Sequence, residues 1–476
     1  MALRNLRRNL KKLTKTSIEG RFGHFVYWGT AGLEAMKIAI IGSGISGMTV
    51  GWLLHHQHEV TVYEAESYVG GHTHTVDVNV DGENHSIDTG FIVCNDRTYP
   101  RFLELMDHLE VERKPTEMGF SVSCDRTGLE YSGSSINTMF AQRRNLFRPS
   151  FYRMVSDILK FNKQGTEDAD AVPDEMTVQE YLDWRGLGKM FGDYYLLPMG
   201  ASIWSCPVGA FAQFPIRFIL QFYRHHGLLS ISNRPQWYVI DGGSKQYVEK
   251  LTAGFSDRIH LNCPVRQVQR FDDRVVVQTE SSSQDFDEVV FACHSDQALK
   301  LLADPSEIES DVLGQFPYER NEAVLHTDVT VLPKRKATWS SWNYRIRYGQ
   351  ESKATLTYDM NLLQGIQSKT RFCVTLNDSQ NIHPDAILGR YQYSHPVFTI
   401  QRSAAQQRHK ELIRQRRTSF CGAYWGNGFH EDGVNSGLAV AGAFGASDIL
   451  DVNLTGSQRL VGNAGSLGLV GEAAPI

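Results

Sequence analysis

"MKIAIIGSGISGMTVGWLL", residues 36–54, is the stretch on which the reading of this chain turns. Its "KIAII" is short and wholly apolar, as suits a strand buried on both faces, whereas "SGMTVGWLL" has helical rather than alternating spacing. Between them Gly42, Gly44 and Gly47 divide three tasks: a tight turn, close approach of backbone N–H groups to a pyrophosphate, and close packing of helix on strand. Ser43, Ile45 and Ser46 complete the turn. A second apolar run, "EVTVYE", ends at Glu64, 22 residues after Gly42. A carboxylate there accepts both hydroxyls of an adenosine ribose and repels a 2′-phosphate. Strand, glycine turn, helix and acid in this register predict a dinucleotide site.

That fingerprint alone does not separate NAD from FAD. The next stretch, "AESYVGGHTHTV" from Ala65, is more discriminating, because Gly70 and Gly71 let a backbone come up against a ligand a second time. A nicotinamide dehydrogenase has no need of this, whereas a long FAD passes this point. His72 and His74 would share a face on a strand, but no carboxylate or third histidine lies at supporting spacing, so no metal site is expected. His72 is read as a hydrogen-bond donor at the cofactor's phosphate or ring edge, and His74 as a polar strand residue. Near the C-terminus, "TSFCGAYWGNGFHEDGVNSGLAVAGAFGA" reads as a buried strand, a glycine-broken turn and a helix that starts near His430, Glu431 and Asp432. A helix N-terminus aimed at a flavin's pyrimidine side would stabilise negative charge on the reduced ring, which favours FAD. Capping of that helix by Asp432 explains the same residues, and the two roles are compatible.

With 476 residues, 41% hydrophobic and 21% charged, the chain has the composition of an ordinary globular protein of two closely packed domains. A net charge of −5 gives no reason to expect nucleic acid. The seven cysteines occur singly, without CxxC pairs, which suggests neither zinc nor a disulfide framework and suits a reducing cytoplasm. No apolar run reaches the roughly 20 residues needed to cross a bilayer, and no signal peptide is visible. The opening "MALRNLRRNLKKLTKTS" (1–17) carries basic residues without an acid and leucines at helical spacing. It reads either as a basic amphipathic helix for peripheral membrane contact or as a dispensable extension.

The punctuation of the chain divides it into a basic extension (1–35), three parts of the nucleotide domain (36–90, 235–299 and 417–447), two inserted parts of a substrate domain (91–234, mainly helical; 300–416, an antiparallel sheet), and a loose tail (448–476). The expected fold class is therefore α/β, a Rossmann-like domain interrupted by an α+β substrate domain. In the second insertion "LHTDVTVLP", "ATWSSWNYRI", "KATLTYDMNLL" and "RFCVTLN" read as strands. The aromatic and Met content of "LLPMGASIWSCP" and "FILQFYRHHGLL" suits core or pocket.

These segments, in this order, resemble the flavin-dependent amine oxidase, protoporphyrinogen oxidase and phytoene desaturase superfamily. More narrowly, "DTGFIVCNDRTYPRF", "MGASIWSCP", "RPQWYVIDGGSKQYV", "LHTDVTVLPKRKATWSSWNY" and "GNGFHEDGV" resemble the predicted NAD/FAD-binding oxidoreductases of bacteria often encoded beside cyclopropane-fatty-acyl-phospholipid synthases. The resemblance runs from about Met36 to Ser447 and implies the GR2-type, amine-oxidase-like FAD fold. It implies pyrophosphate contact by Ser43, Gly44 and Ser46, adenosine contact by Glu64, and a backbone contact to adenine by Val265. Gly71, His72, Gly90 and Phe91 would lie beside the pyrophosphate, ribityl chain or ring, with Phe429, His430, Glu431 and Gly433 at the far end of the flavin. Two positions depart from the wider superfamily. His72 stands where most members have arginine, and Ala423 where many have an acid that holds the ribityl chain.

The leading functional expectation is hydride removal from a carbon of an apolar substrate to flavin N5, with oxygen or another acceptor reoxidising the flavin. Such a reaction depends chiefly on position and charge stabilisation. His430, Glu431 and Tyr424 are the candidate catalytic residues, each with cofactor positioning as its alternative role. The substrate expected from the aromatic insertions is an acyl chain or lipid. The alternatives are a small amine, and a non-enzymatic lipid-binding protein on the same scaffold, as in the similar Rab GDP-dissociation inhibitors. The expected location is the cytoplasm, with peripheral membrane contact as a variant.

Overall fold

The computed structural model describes residues 34–446, apart from 231, 233 and 350–353. The basic segment 1–17 and the tail 448–476 lie outside the described residues.

The quoted stretch forms a strand, Lys37–Ile41, and a helix, Ile45–Leu54, joined by the glycine turn. The strand is the middle of a five-stranded, all-parallel sheet in the order Ile259–His260, Glu59–Tyr63, Lys37–Ile41, Glu288–Phe291, Thr418–Phe420. Ile38, Ala39 and Ile40 are wholly buried, as a central strand covered on both faces requires. These strands come from three distant parts of the chain, so the sheet closes only after the insertions are looped out. The C-terminal helix His430–Ala443 packs on the helix Ile45–Leu54. A Cβ on Gly433 would come within 2.6 Å of Ile45 Cγ2, and one on Gly437 within 3.0 Å of the Ser46 carbonyl, so small residues set the close spacing of these helices. A meander of Gln267–Arg270, Val275–Gln278 and Ser283–Phe286 sits beside the sheet.

The second body is a seven-stranded sheet in the order Ile387–Pro396, Tyr318–His326, Cys373–Leu376, Leu356–Asp359, Trp342–Ile346, Phe120–Cys124, Leu129–Ser132. It is not confined to residues 300–416. The last two strands come from the first insertion, and Trp342–Ile346 pairs with Phe120–Cys124 in parallel. "LHTDVTVLP" is likewise not a strand beyond His326: Asp328 accepts the Thr330 N–H at 2.8 Å and turns the chain into the short helix Val329–Val331. A local side-chain acceptor here overrides the β-branched residues around it. Against this sheet pack helices that include Pro149–Asp168, Leu197–Trp204 and Ile216–His225. Their apolar faces form one core around Phe151, Phe161, Phe191, Phe211 and Tyr223.

Candidate cofactor and substrate cavity

One cavity of about 1770 Å³ runs from the glycine turn into the helical and antiparallel part of the molecule. A drug-sized ligand occupies a pocket of about 300–1,000 Å³, so this space has room for a dinucleotide together with a second molecule.

The nucleotide end is built as the motif demands. Gly42 has φ +106°, and a Cβ there would lie 2.8 Å from the Ala292 carbonyl oxygen, so only glycine fits the turn. The Cβ of a residue at 44 would enter open space on the cavity side. Gly44 is also the N-cap of the helix Ile45–Leu54, with no side chain answering the first N–H groups, which leaves them to an anion. Gly71 comes within 3.3 Å of Gly44 Cα, measured from the position a Cβ would take. Glu64 ends its strand on the cavity wall, where it accepts the Ser43 N–H at 2.9 Å and the Glu66 N–H at 3.0 Å. Ser43, Ile45, Ser46, Ala65, Gly70, His72, Gly90, Phe91, Val265 and Phe429 line the same space. An open cradle, an unanswered helix terminus and a carboxylate at its lip fit a flavin dinucleotide.

Gly47 does the packing its place in the motif calls for, since a Cβ there would collide with the Gly42 carbonyl oxygen. Two expected contacts, Gly433 and Glu431, are not among the residues lining the cavity. Gly433 serves the helix pairing described above. Glu431 faces the helix Pro100–His108, accepting the N–H groups of Phe102 at 2.8 Å and Arg101 at 3.1 Å. It caps that helix from a distant part of the chain, and burial pushes its carboxyl up to about 7. A catalytic or flavin-contacting role for Glu431 is therefore replaced by a structural one.

The other two candidate catalytic residues do line the cavity. His430 stacks on Phe91 with ring centroids 3.6 Å apart, and its Nε2 meets Thr73 Oγ1 at 3.0 Å. Burial drives its pKa down to about 3, so the ring is neutral at physiological pH. Tyr424 packs edge-on against Phe316, and burial holds its hydroxyl protonated. Asp432 accepts the Phe429 N–H at 2.9 Å, so the start of the C-terminal helix is capped as well as placed beside the cavity.

Sequence reasoning missed a histidine cluster. His72, with His294 at 6.2 Å and His395 at 5.2 Å between ring centroids, gathers residues from three separate segments. Burial lowers all three pKa values, that of His395 to about 4. The proton on His395 is fixed by a relay. The backbone N–H of Glu322 donates to Asn377 Oδ1 at 3.0 Å, Asn377 Nδ2 donates to Asn321 Oδ1 at 2.6 Å, and Asn321 Nδ2 donates to His395 Nδ1 at 3.0 Å. A backbone amide can only donate, so it orients both side-chain amides in turn and leaves His395 with its proton on Nε2. Among the described residues no group of three or more His, Cys, Asp or Glu side chains is arranged to hold a metal ion.

The far half of the cavity is apolar. Phe120, Tyr131, Met139, Phe140, Ile158 and Phe222 are among its walls. Among the described residues, polar atoms there without a partner are Trp204 Nε1, Trp342 Nε1 and Asn162 Oδ1. Buried polar atoms are normally satisfied, so these mark where a substrate atom or water would bond. No spacing in the sequence announces them.

The sequence matches the family described as flavin containing amine oxidoreductase over residues 45–443. The chain belongs to the flavin containing amine oxidoreductases. This is a family of FAD-dependent oxidoreductases, and FAD is the cofactor of this chain. Amine oxidase [flavin-containing] A of Canis lupus familiaris is 23% identical over 370 residues, a match covering 72% of this chain but only 63% of that protein. Among solved structures, cyclohexylamine oxidase from Brevibacterium oxydans has a TM-score of 0.62 at 16% identity, covering 86% of this chain and 98% of its own. A fatty acid isomerase from P. acnes has a TM-score of 0.61 at 14% identity, covering 87% and 100%. These likenesses share the fold with proteins of unlike substrates. Among the described residues no helix is long and apolar enough to cross a membrane.

Proposed function

We propose that this family member oxidises an apolar substrate, an acyl chain of a fatty acid or lipid, one carbon giving up a hydride to the flavin and the adjacent carbon a proton to solvent, so that a C=C double bond forms. The observation that carries this is the continuity of the nucleotide cradle with an apolar cavity half that holds no buried carboxylate. Among the described residues the acids on the wall are Glu64 and Glu66 at the nucleotide end and the exposed Glu117, so none of these offers a buried carboxylate to an ammonium group in the apolar half. The glycine turn and Glu64 would hold FAD, which would supply the two-electron acceptor. The chain's own contribution is position and exclusion of water. Phe91 and His430 form a stacked wall, the neutral His395 offers Nε2–H, and the indole N–H groups of Trp204 and Trp342 stand free to orient a polar substrate atom. With His430 and His395 neutral, neither supplies a general acid at physiological pH.

The test is anaerobic. Oxidised holoenzyme is mixed with fatty acids, with fatty-acyl phospholipids or with a panel of amines, and bleaching of the flavin absorbance is followed. Bleaching by the acyl compounds is expected. Bleaching by amines alone would transfer the protein to the small-amine reading that several relatives' names suggest. A colourless protein that takes up no added FAD would favour the non-enzymatic lipid-binding alternative.

A further inference from the structure

One surface of the helical part differs from the rest of this acidic protein. From Gly133 to Ser156 the chain contains no Asp or Glu, yet it carries Arg143, Arg144, Arg148 and Arg153. The same stretch exposes large apolar side chains: Ile136 is 83% and Phe147 85% exposed, and Leu146 and Tyr152 are also open to solvent. Single exposed hydrophobes are ordinary. Here they are clustered and structurally held out. Ser135 caps the short helix Ile136–Met139 through the Thr138 N–H, and Phe140 anchors the end of that helix, its ring 5.3 Å from Phe151 and 5.5 Å from Tyr152. The chain then turns through Arg143–Phe147 into the helix Pro149–Asp168.

The positive charge is largely uncompensated. Arg143 bonds to the Phe140 carbonyl and the Asn137 side chain, and Arg144 to the Gly128 and Thr127 carbonyls, all neutral acceptors. The neighbouring sheet adds Lys334, Arg335 and Lys336, all exposed, from a turn that touches both Ile136–Met139 and the strand Leu129–Ser132. Among the described residues two acids pair with these cations. Glu130 is consumed by Arg335 and by the N–H groups of Lys334 and Arg335, and the buried Asp157 lies 3.9 Å from Arg153 and accepts the Gly188 N–H.

The patch is also continuous with the cavity. Ile136, Met139, Phe140, Val155 and Leu159 line its wall, and of these Ile136 and Leu159 are exposed to solvent as well. The cavity therefore opens where the apolar tips and the cations meet. Apolar tips inside a basic collar match an anionic bilayer, whose acyl region receives the former and whose headgroups attract the latter.

We propose that this face docks on the surface of an anionic lipid bilayer, with Ile136 and Phe147 inserted and the Arg143–Arg153 and Lys334–Lys336 cations on the headgroups, so that the cavity opens toward the acyl chains. The identity of the molecule that then enters the cavity rests on the acyl-substrate proposal; the docking itself does not. The test is co-sedimentation of the full-length holoprotein with vesicles of saturated phosphatidylglycerol and phosphatidylcholine, or of phosphatidylcholine alone. Binding to the anionic vesicles alone, weakened by added salt, is expected. The double variants Ile136→Ser/Phe147→Ser and Arg143→Glu/Arg144→Glu should each weaken it about tenfold or more, with unchanged flavin absorbance showing that the fold is kept. Arg7→Glu/Arg8→Glu in the basic N-terminal segment should leave most of the binding in place. Wild-type binding by both patch variants, loss only in the N-terminal variant, or no binding to anionic vesicles would each overturn the proposal. The vesicle result does not depend on turnover, so failure of acyl compounds to bleach the flavin would leave it standing.

Discussion

The two ends of the cavity are built on opposite principles. At the nucleotide end, a few residues close in sequence do nearly everything: Gly42, Gly44 and the helix start lie within one turn of chain, and Glu64 arrives on the adjacent parallel strand. In the apolar half, the walls come from Phe120, Ile158, Phe222, Trp342 and Phe398, residues spread over most of the chain. A pyrophosphate needs fixed N–H groups, which a local backbone supplies. An apolar chain needs only enclosed volume, which many combinations of side chains supply equally well. The first end is therefore a motif and the second a consequence of packing.

The sharpest way to break this contrast is Gly44→Phe. A ring in the open space beside Gly44 occupies the pyrophosphate position, and FAD binding should fall about 1000-fold or more, read as loss of yellow colour after gel filtration. If the flavin stays, the cradle is not where the motif puts it. Next in size is Asn321→Leu, which leaves His395 Nδ1 and Asn377 Nδ2 without a partner in a buried strand pair. Unfolding by denaturant should show a loss of about 2 kcal/mol. Glu64→Gln keeps the shape but removes the charge that strengthens bonds to ribose hydroxyls, and should weaken FAD by about tenfold in a fluorescence titration. Trp204→Phe tests the other end. It removes the free indole N–H while keeping most of the ring packed on Phe211 and Phe222, so kcat/KM should drop about fivefold with the flavin spectrum unchanged. A changed spectrum would mean that the two ends are not separable.

The smallest effect concerns pH and lies away from the cavity. His326 is wholly buried, its Nδ1 accepting the Asp328 N–H and its Nε2 meeting Thr375 Oγ1, and burial lowers its pKa to about 4. The unfolded chain binds this proton near pH 6.5 and the folded chain only near 4, so the contribution is complete above 6.5 and lost as pH falls between those values. Asp88 and Asp432, with carboxyls raised to about 6 by burial, act in the opposite sense, losing stability as pH rises from about 4 through 6. Replacing His326 by Gln should therefore flatten the acid-side fall of Tm by a few degrees, measured by calorimetry between pH 6.5 and 4.5.

The sequence alone was sufficient for whatever is decided within about thirty residues. The buried strand, the glycine turn, the acid at 64 and the second glycine approach at 70 and 71 each express a local steric or electrostatic demand that few residue types can meet. Their order along the chain also carried the resemblance to the flavin-dependent amine oxidase superfamily, which the family match bears out. Tertiary structure alone decided the rest. Glu431 reads as a flavin contact because it stands at a helix start, but packing turns it to cap Pro100–His108, more than three hundred residues earlier in the chain. His294 and His395 are unremarkable in sequence and meet His72 only because the segment after the parallel strand Glu288–Phe291 and the outer strand Ile387–Pro396 of the seven-stranded sheet converge on it. The strands at 120–132 complete a sheet begun two hundred residues later. Such partners are fixed by burial and shape complementarity, which depend on the whole fold and leave no periodic trace in any one segment.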